Sequence, residues 1–376
     1  MKILIAPNAF KGSLSPIKAA ELIEQGINKV CKAKTILMPI SDGGDGIIDV
    51  FSHHFGGKIV KLPVYDALLH KITASYLLLK NGHAIIEIAR ACGLASLKSK
   101  KLKPMQASSY GAGQLILSAL KKKAKTIYIG LGGSASNDAG TGLASALGVK
   151  FFGKNGDILP YGVKPLLKLH RIDSKTINPK IKKTKIFAIT DVTNPLLGRL
   201  GSARIYGPQK GADAHQVEIM AKALNHYVKI VKKDLKKDIG HFKAGASAGG
   251  LGAGVYAFLN AKITPGADFI LKQIKAEEKI KMCDMVITAE GCLDRQTFYG
   301  KAPYELIRLA KKHKKPVLFI AGRNKIKSKK TLNSHGITAV VEMTANNVPL
   351  KESIQNPKKY LLRAVAEGIK NPAFGL

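Results

Sequence analysis

The glycine-rich stretch of residues 130–148, GLGGSASNDAGTGLASALG, carries the residue types best suited to chemistry in this chain. An apolar, strand-like run at residues 126–129 leads into it, and a helical stretch led by Asn137 and Asp138 follows. A loop with so few side chains lets backbone N–H groups approach an anion closely, and the following helix N-terminus adds partial positive charge. The pattern predicts a phosphate-binding loop. The alternative is a tight strand-to-helix turn in which glycine merely permits positive φ.

Polar clusters also follow other apolar runs. In the terminal regions they cover residues 7–13 (PNAFKGS), 41–46 (SDGGDG), 290–301 (EGCLDRQTFYGK) and 321–324 (AGRN). In the middle of the chain they cover residues 190–195 (TDVTNP), 207–211 (GPQKG) and 245–252 (GASAGGLG). Because a parallel sheet binds ligands at the carboxyl ends of its strands, we expect the four terminal clusters to converge on one site. Phosphoryl transfer needs little more than carboxylates and lysines in such clusters. The carboxylates can hold Mg²⁺ or orient a hydroxyl, and the lysines can neutralise phosphate charge.

The elements that must position these clusters follow two different patterns. In the terminal regions, strands are predicted at residues 2–6, 35–40, 284–288, 316–321 and 339–343, and helices at 16–31, 43–55, 303–313 and 357–369. Apolar runs joined mainly by helices predict a doubly wound parallel sheet. In the middle, closely spaced strands are predicted at residues 58–64, 72–79 and 84–89, with a hairpin at Asn81-Gly82, then a strand at 185–189 and helices at 216–235 and 250–259.

We therefore predict an α/β protein with two domains. Residues 1–60 and 284–376 form a discontinuous, Rossmann-like domain with a doubly wound parallel sheet. Residues 61–283 form an inserted, mixed α/β domain that carries the glycine-rich loop. A length of 376 residues favours two domains over one.

Composition narrows the functional class. The net charge of +36 allows nucleic-acid binding, but the lysines are spread along the chain in doublets and triplets, and lysine outnumbers arginine, the better reader of bases. We expect no specific nucleic-acid partner. No apolar run approaches the roughly 20 residues that span a bilayer, so we expect no membrane association. The four cysteines form no CxxC pair, which favours a reducing, cytoplasmic location.

Several common catalytic motifs do not occur. The chain contains no GxxxxGK[ST] loop, no protein-kinase HRD or DFG set and no GxSxG elbow. The adjacent His53 and His54 point in different directions on a helix, so we interpret them as surface residues. The glycine loop and the polar clusters therefore remain the candidates for chemistry.

Read together, the motifs resemble those of the bacterial glycerate kinases of the glycerate 2-kinase type. The resemblance rests on APNAFKGSL (6–14), DGGDG (42–46), GLGGSASNDAG (130–140), TDVTNPLLG (190–198), YGPQKGA (206–212), SAGGLGA (247–253), PGAD (265–268) and TAEGCLDRQTFYGKAP (288–303). These motifs keep the family's order and extend over nearly the whole chain. Three positions depart from the family's usual residues: Asn8 replaces Asp, Ala9 replaces Ser and Cys292 replaces Arg.

The resemblance implies ATP-dependent phosphorylation of D-glycerate with Mg²⁺ in an interdomain cleft. The expected product is 2-phosphoglycerate, with 3-phosphoglycerate as the alternative. A homodimer is possible. Asn8 and Cys292 leave open a catalytically altered paralogue that acts on another small hydroxy acid. A basic nucleic-acid-binding protein also stays open, as does a small-molecule kinase of the GHMP type, since GLGGSA is similar to that family's GLxSSA loop.

On this basis each candidate residue receives an expected role. The catalytic residues are Asp42, Asp191 and Lys11, with Asp42 or Asp191 deprotonating the attacking hydroxyl. The nucleotide contacts are Gly132, Gly133, Ser134, Asn137, Lys210, Gly249 and Gly250. The substrate contacts are Asn8, Lys11, Asp45, Arg295 and Lys301, and the Mg²⁺ ligands are Glu290 and Asp294. Asp138 is the carboxylate we most expect to act only as a cap or turn former.

Overall fold

A computed structural model describes residues 1–10, 12–97, 102–345 and 348–374. Its strands are β1 (Lys2–Pro7), β2 (Lys34–Leu37), β3 (Lys58–Tyr65), β4 (Lys71–Leu78), β5 (His83–Glu87), β6 (Thr126–Gly130), β7 (Lys150–Phe152), β8 (Arg171–Asp173), β9 (Lys185–Ile189), β10 (Lys262–Thr264), β11 (Met285–Leu293), β12 (Val317–Asn324) and β13 (Ala339–Glu342).

The helices of the described residues range from single turns to six turns. They are α1 (Pro16–Asn28), α2 (Ile47–Phe55), α3 (Ala89–Cys92), α4 (Tyr110–Lys121), α5 (Thr141–Ala146), α6 (Ser202–Tyr206), α7 (Ala214–Leu235), α8 (Ser247–Leu259), α9 (Gly266–Gln273), α10 (Ala276–Lys281), α11 (Ala302–Lys312), α12 (Lys329–His335), α13 (Leu350–Gln355) and α14 (Pro357–Ile369). A 3₁₀ turn at Arg295–Phe298 also matters for the site. Within the described residues, no helix combines the length and apolar character needed to cross a membrane.

These elements group into two compact units. The first unit comprises residues 1–42, 49–54 and 266–376, and the second comprises residues 43–48 and 55–265. The boundaries predicted from sequence were near residues 60 and 283. In the structure, α9 and α10 pack with α11 and so belong to the first unit.

The first unit is built on a five-stranded sheet in the order β13-β12-β11-β1-β2, with every neighbouring pair parallel. The five strands predicted for it are confirmed. Ile3 and Ile5 of β1 pack with α1 and α14 on one face of the sheet. The alternate residue Leu4 is also fully buried, so both faces are covered, as a parallel sheet requires. The chain leaves β1 toward β2 and later returns on its other side at β11, which creates a topological switch point between β1 and β11.

The second unit contains the mixed sheet predicted for the middle of the chain. Its order is β10-β9-β6-β5-β4-β3, in which β3, β4 and β5 are antiparallel and β5, β6, β9 and β10 are parallel. Gly82, in the predicted hairpin turn between β4 and β5, has φ +82°. A single large apolar core joins the strands of this sheet to α4, α5, α7 and α8.

Two predicted helix starts are wrong. The helix after the glycine-rich loop begins at Thr141 rather than at Asn137, because Ala139 (φ +49°) and Gly140 (φ +78°) have left-handed backbone. In the same way α2 begins at Ile47 rather than at residue 43, because Gly43 and Gly46 have φ +86° and +83°. A right-handed helix needs φ near −60°, so neither helix can start earlier.

Candidate functional site

A cavity of about 310 Å³ in the first unit lies at the switch point between β1 and β11. One part of its lining is polar and combines Asn8, Asp42, Glu290, Cys292 and Lys301. The remaining lining residues are small or apolar: Ala9, Phe10, Ser13, Gly291, Gly322, Met343, Leu350, Ser353 and Ile354. All four predicted clusters of the terminal regions therefore reach one cavity. Residues 7–13 and 290–301 each contribute several lining residues, whereas residues 41–46 contribute Asp42 and residues 321–324 contribute Gly322.

Asp42 is held by two hydrogen bonds from opposite sides. Its Oδ1 accepts from the backbone N–H of Ala302 at 2.7 Å, and its Oδ2 accepts from Asn8 Nδ2 at 2.9 Å. Ala302 is the first residue of α11, where the helix macrodipole favours a negative charge. Asp42 is only half-buried, so its carboxylate is both fixed in orientation and accessible from the cavity.

Asn8 has its amide orientation fixed by the backbone. Its Oδ1 accepts from the N–H of Ala9 at 2.8 Å, which leaves Nδ2 to face Asp42. The residue is only 7% exposed. Asn8 therefore supports Asp42 as well as lining the cavity.

Glu290 lies in β11 and is 5% exposed. Its Oε1 accepts from Thr297 Oγ1, and its Oε2 lies 3.5 Å from Lys301 Nζ. Burial raises the pKa of the Glu290 carboxyl. Lys301 and Thr297 oppose that shift, while the charge of Asp42 adds to it. Lys301 thus pairs with a carboxylate on one side and contributes a cation to the cavity on the other.

Asp294 and Arg295 lie beside the cavity rather than in its lining. Asp294 Oδ1 accepts from Gln296 N–H at 2.9 Å, so Asp294 caps the short turn that follows it. Arg295 is exposed and is not among the described residues that line the cavity. Lys11 falls outside the described residues, so its predicted role stays a prediction.

Sequence reasoning missed residues that support or shape this cavity. Thr297 is fully buried, donates to Glu290 and accepts from the N–H of Asp294 at 3.2 Å. Its position inside the polar cluster of residues 290–301 was the available signal. The apolar wall of Met343, Leu350 and Ile354 comes from β13 and α13 regions that carry no motif, so nothing in the sequence pointed to it.

The glycine-rich loop of the second unit is accessible over only a short part of its length. Gly132 is half-buried and Gly133 is exposed, whereas residues 134–140 are buried. The hydroxyls of Ser134 and Ser136 are 2.8 Å apart, and Ser136 N–H donates to Ser134 Oγ. An anion can therefore reach this loop at Gly132 and Gly133. The buried residues 134–140 cannot contact it and instead form the packed part of the loop.

This loop packs tightly against residues 43–46, which belong to the same unit. A Cβ on Gly132 would lie 2.9 Å from Gly44 Cα, and one on Gly133 would lie 2.7 Å from Asp45 Oδ1. Close approach to backbone thus requires glycine at position 132, whereas the φ of +62° favours glycine at position 133. The exposed Asp45 consequently presents its carboxylate next to the accessible end of the loop.

Lys210 is buried behind the loop. It is 3% exposed, and its Nζ donates to the carbonyl of Ser136 at 2.6 Å. Desolvation lowers its pKa to about 8, opposed by Cys92 and Asp138. Gly249 and Gly250 are also buried and pack on the same loop, because a Cβ on Gly249 would lie 1.9 Å from Ser136 O. Lys210, Gly249 and Gly250, all predicted to contact the nucleotide, therefore contact the buried side of the loop.

Asn137 and Asp138 are fully buried. Asn137 Nδ2 donates to the carbonyl of Pro104 at 3.4 Å. Asp138 accepts from the N–H groups of Ser109 and Gly142 at 2.8 and 3.1 Å, and burial raises its pKa. Asp138 was expected to be a cap or turn former; it stabilises the turn before α5, whose N-cap residue is Gly140. Asp191, the second candidate base, is half-buried after β9 in the second unit.

The first-unit cavity has a donor set that suits Mg²⁺ in part. Among the residues that the structure describes, no group of three or more His, Cys, Asp or Glu side chains could hold a metal ion. Mg²⁺ in phosphoryl-transfer sites is held through one or two carboxylates together with substrate phosphates. Of the two predicted ligands, Glu290 supplies a carboxylate of that kind, whereas Asp294 is engaged as a cap.

Comparison with known proteins identifies relatives along the whole chain. Residues 3–371 match the family model described as "Glycerate kinase family". The "Glycerate 2-kinase" of Escherichia coli (strain K12) is 37% identical over 378 aligned residues, which cover 100% of this chain and 99% of that protein. The "Glycerate kinase" of Halalkalibacterium halodurans is 37% identical over 364 residues, 96% of each chain.

A crystal structure assigned to glycerate kinase 2 of Salmonella typhimurium LT2 is similar in three dimensions. It is 34% identical in sequence, has a TM-score of 0.83, and the match covers 98% of this chain and 96% of that one. Sequence and structure therefore agree over nearly the full length. The chain belongs to the glycerate kinase family.

Proposed function

We propose that this protein uses ATP to phosphorylate D-glycerate, giving 2-phosphoglycerate, with 3-phosphoglycerate as the alternative product. The observation that carries the proposal is the fixed carboxylate of Asp42. It faces a small cavity at a topological switch point and shares that cavity with Lys301. A cavity with one oriented carboxylate and one cation suits a small, anionic acceptor that must lose a hydroxyl proton.

In this proposal Asp42 accepts the proton of the attacking hydroxyl group. Each of its oxygens already accepts one hydrogen bond, and a carboxylate oxygen has a second lone pair for the substrate. Lys301, with Lys11 and Arg295 as the other predicted cations, binds the carboxylate of glycerate. Asp191 remains the second candidate for the base.

The nucleotide phosphates bind at the accessible glycines of the second unit, Gly132 and Gly133. Buried neighbours, including Ser134, Asn137, Lys210, Gly249 and Gly250, hold this loop in shape. Backbone N–H groups in a loop that packing already fixes can stabilise a phosphoryl group without reorganising during the reaction. The proposed transfer requires the acceptor and the nucleotide to meet during turnover.

Mg²⁺ would neutralise the phosphate charge that develops during transfer. Glu290 would hold it together with the phosphates, and Asp294 remains the second ligand predicted from sequence. Asp45, which lies beside Gly133, is a further carboxylate on the nucleotide side.

The decisive experiment is an assay of ATP-dependent phosphorylation of D-glycerate, with the product identified by ³¹P NMR. We expect a phosphoglycerate that forms only with ATP and Mg²⁺. The position of the phosphate on the sugar acid distinguishes the two products. The absence of any product with D-glycerate, glycolate and other small hydroxy acids would refute the proposal.

The variant Asp42→Asn tests the assigned base. Loss of a general base should lower kcat by roughly 10²- to 10⁴-fold while the KM values change little. Asp157→Asn, in an exposed turn, is the matched control and should behave like the wild type. Near-normal kcat in folded Asp42→Asn would remove Asp42 from the chemistry and leave Asp191 as the candidate.

The apolar wall of the cavity and the neutral Cys292 favour one second candidate function. They suit an acceptor with a less polar body than glycerate, that is, another small hydroxy acid. A panel of 2-hydroxy acids in the same assay decides between the two acceptors by their kcat/KM values.

Salt-dependent retention on DNA without ATP turnover would instead favour the nucleic-acid-binding alternative.

A further inference from the structure

We propose that a cavity of about 660 Å³ in the second unit, which we call the β9 cavity, binds an organic anion with a flat, apolar body. Its lining comes from the first residues of β9 and β10, the 3₁₀ turn Pro179–Lys183 and the last residues of α7 and α8. Cavities of about 300–1,000 Å³ are typical of small-molecule sites. None of its described lining residues lines the first-unit cavity, so the proposal does not depend on the proposed function.

The β9 cavity lies at the opposite end of the sheet from the glycine-rich loop. The strands β6 and β9 are parallel, and Gly130, where the loop begins, pairs with Ile189 at the carboxyl end of β9. The cavity is lined instead by residues 185–187, which begin β9, and by Lys262, which begins β10. Parallel sheets of α/β proteins bind their usual ligands at the carboxyl ends of the strands. A ligand in the β9 cavity would therefore leave the loop accessible.

The floor of the β9 cavity is apolar and held in place by packing. Its apolar lining includes Ile177, Ile181, Phe187, Leu235 and Phe258. The ring of Phe187 stacks on Tyr128 with centroids 5.4 Å apart. The ring of Phe258 packs edge-on against Phe151 with centroids 5.7 Å apart. Because these rings are already ordered, a flat apolar ligand can pack on them with little loss of side-chain entropy.

The rim of the β9 cavity carries positive charge. Lys175, Lys182, Lys185 and Lys262 are exposed lining residues. Among the described residues of this lining there is no Asp or Glu. Ammonium groups around an apolar floor attract an anion, while the floor takes up its apolar part. The combination is complementary to an amphipathic anion rather than to a neutral or cationic ligand.

Negative groups close to the rim have partners within the unit. Asp173 pairs with Arg171 at 3.5 Å. Asp234 pairs with Lys233, also at 3.5 Å. The last carbonyl groups of α8 carry partial negative charge, and Lys237 Nζ donates to two of them at 3.1 and 2.7 Å. These pairings reduce the repulsion that an anion would meet on entering the cavity.

A cavity of similar size in the first unit shows that the high net charge does not by itself produce such a rim. That cavity has a volume of about 730 Å³, and its charged lining combines both signs. Four lysines and one arginine lie beside its acidic residues, Asp268, Glu277, Glu278 and Glu305. A rim of lysines without carboxylates is therefore a local feature of the β9 cavity.

The experiment titrates the full-length protein with 8-anilinonaphthalene-1-sulfonate, an organic anion with a flat, apolar body that fluoresces in apolar surroundings. We expect saturable binding. The double variant Lys182→Glu/Lys185→Glu should raise the Kd of the probe roughly tenfold or more, because each substitution exchanges an attractive charge for a repulsive one. Both side chains are exposed, and circular dichroism checks that the variant is folded.

The matched control is Lys58→Glu/Lys61→Glu. It makes the same charge change at exposed positions of β3, in the same unit. In the sheet, β3 is four strands from β9, or about 19 Å, so screening by salt should limit the change in Kd to about twofold.

Two further measurements test the apolar floor. Phe187→Leu keeps an apolar side chain but removes the ring, and should raise the Kd of the probe by about 2- to 10-fold. Sodium sulfate should displace the probe no better than sodium chloride of equal ionic strength, because sulfate has no apolar body.

Equal weakening by the two lysine double variants would overturn the proposal, because it would assign the binding to the basic surface as a whole. Specific displacement by sulfate, or an unchanged Kd in Phe187→Leu, would also overturn it, since the floor would then contribute nothing. The absence of saturable binding would do the same. Phosphorylation of D-glycerate is measured separately, so failure of the proposed function and failure of this proposal are distinguishable.

Discussion

The packing of Gly249 on the glycine-rich loop leads to a quantitative prediction for Gly249→Ala. Gly249 has φ +77°, and an added Cβ would lie 1.9 Å from Ser136 O and 2.6 Å from Lys210 Nζ. Left-handed backbone costs a non-glycine residue about 1–2 kcal/mol. Forcing a methyl group into a well-packed interior costs about 1–3 kcal/mol more. We therefore expect the free energy of unfolding to fall by about 2–5 kcal/mol.

The control separates the two contributions. Gly198 lies in the same unit with φ +89°, and nothing lies within 4 Å of an added Cβ. Gly198→Ala should therefore lose only the backbone part, about 1–2 kcal/mol. Urea unfolding of wild type and both variants measures the free energies directly, and the m-value checks that the extent of unfolding is the same.

Equal destabilisation by the two substitutions would refute this account of Gly249. It would mean that the loop of residues 134–139 can move away from the added methyl group without cost. In that case Gly249 would matter only for its backbone conformation. A raised KM for ATP in Gly249→Ala would then favour direct contact with the nucleotide.

Two further predictions concern buried polar groups. Thr297→Val keeps the shape of the side chain but removes the hydroxyl that donates to Glu290 and accepts from the Asp294 N–H. Thermal or urea unfolding should show a free energy of unfolding lower by about 1–3 kcal/mol. Thr297→Ser keeps the hydroxyl and should avoid this loss. A stable Thr297→Val would contradict the network. The pKa of Lys210 is about 8 in the folded protein against an ordinary value of 10.5. Burying the charged ammonium therefore costs stability in full below pH 8, and this cost decreases as pH rises toward 10.5. The stability of the wild type relative to Lys210→Met should thus rise by up to ~3 kcal/mol over that range, and parallel curves of stability against pH would refute it.

The parallel sheet of the first unit could be predicted strand by strand. Its strands are short, continuous apolar runs ended by glycine and polar residues, a pattern that a doubly covered sheet imposes. The start of α1 at Pro16 could also be predicted, because serine before proline is a common helix N-terminus. The structure confirms it: Ser15 caps the helix and accepts from the Lys18 N–H at 3.2 Å. Local chemistry alone fixes such features.

The errors came from backbone conformation that the sequence does not specify. Ala139 and Ala248 have φ +49° and +52°, values that alanine rarely adopts and that no alanine-containing pattern predicts. At Ala139 a tertiary contact stabilises this conformation, because its N–H donates to the carbonyl of Gly249 at 3.2 Å. The helix after the glycine-rich loop is consequently shorter than the sequence suggested.

The sequence by itself determined which residues cluster at strand ends and which family the motifs resemble, because both are written in residue type and order. Only the tertiary structure decided which groups surround each of these residues. It brought Asn8 and Ala302 to the two oxygens of Asp42 across 34 and 260 residues of chain. It also buried Asn137 within the glycine-rich loop, and Lys210 and Gly249 behind it, and left Gly132 and Gly133 as the accessible part. Burial and hydrogen-bond direction depend on residues far apart in the chain, so motifs can name a site but cannot assign its roles.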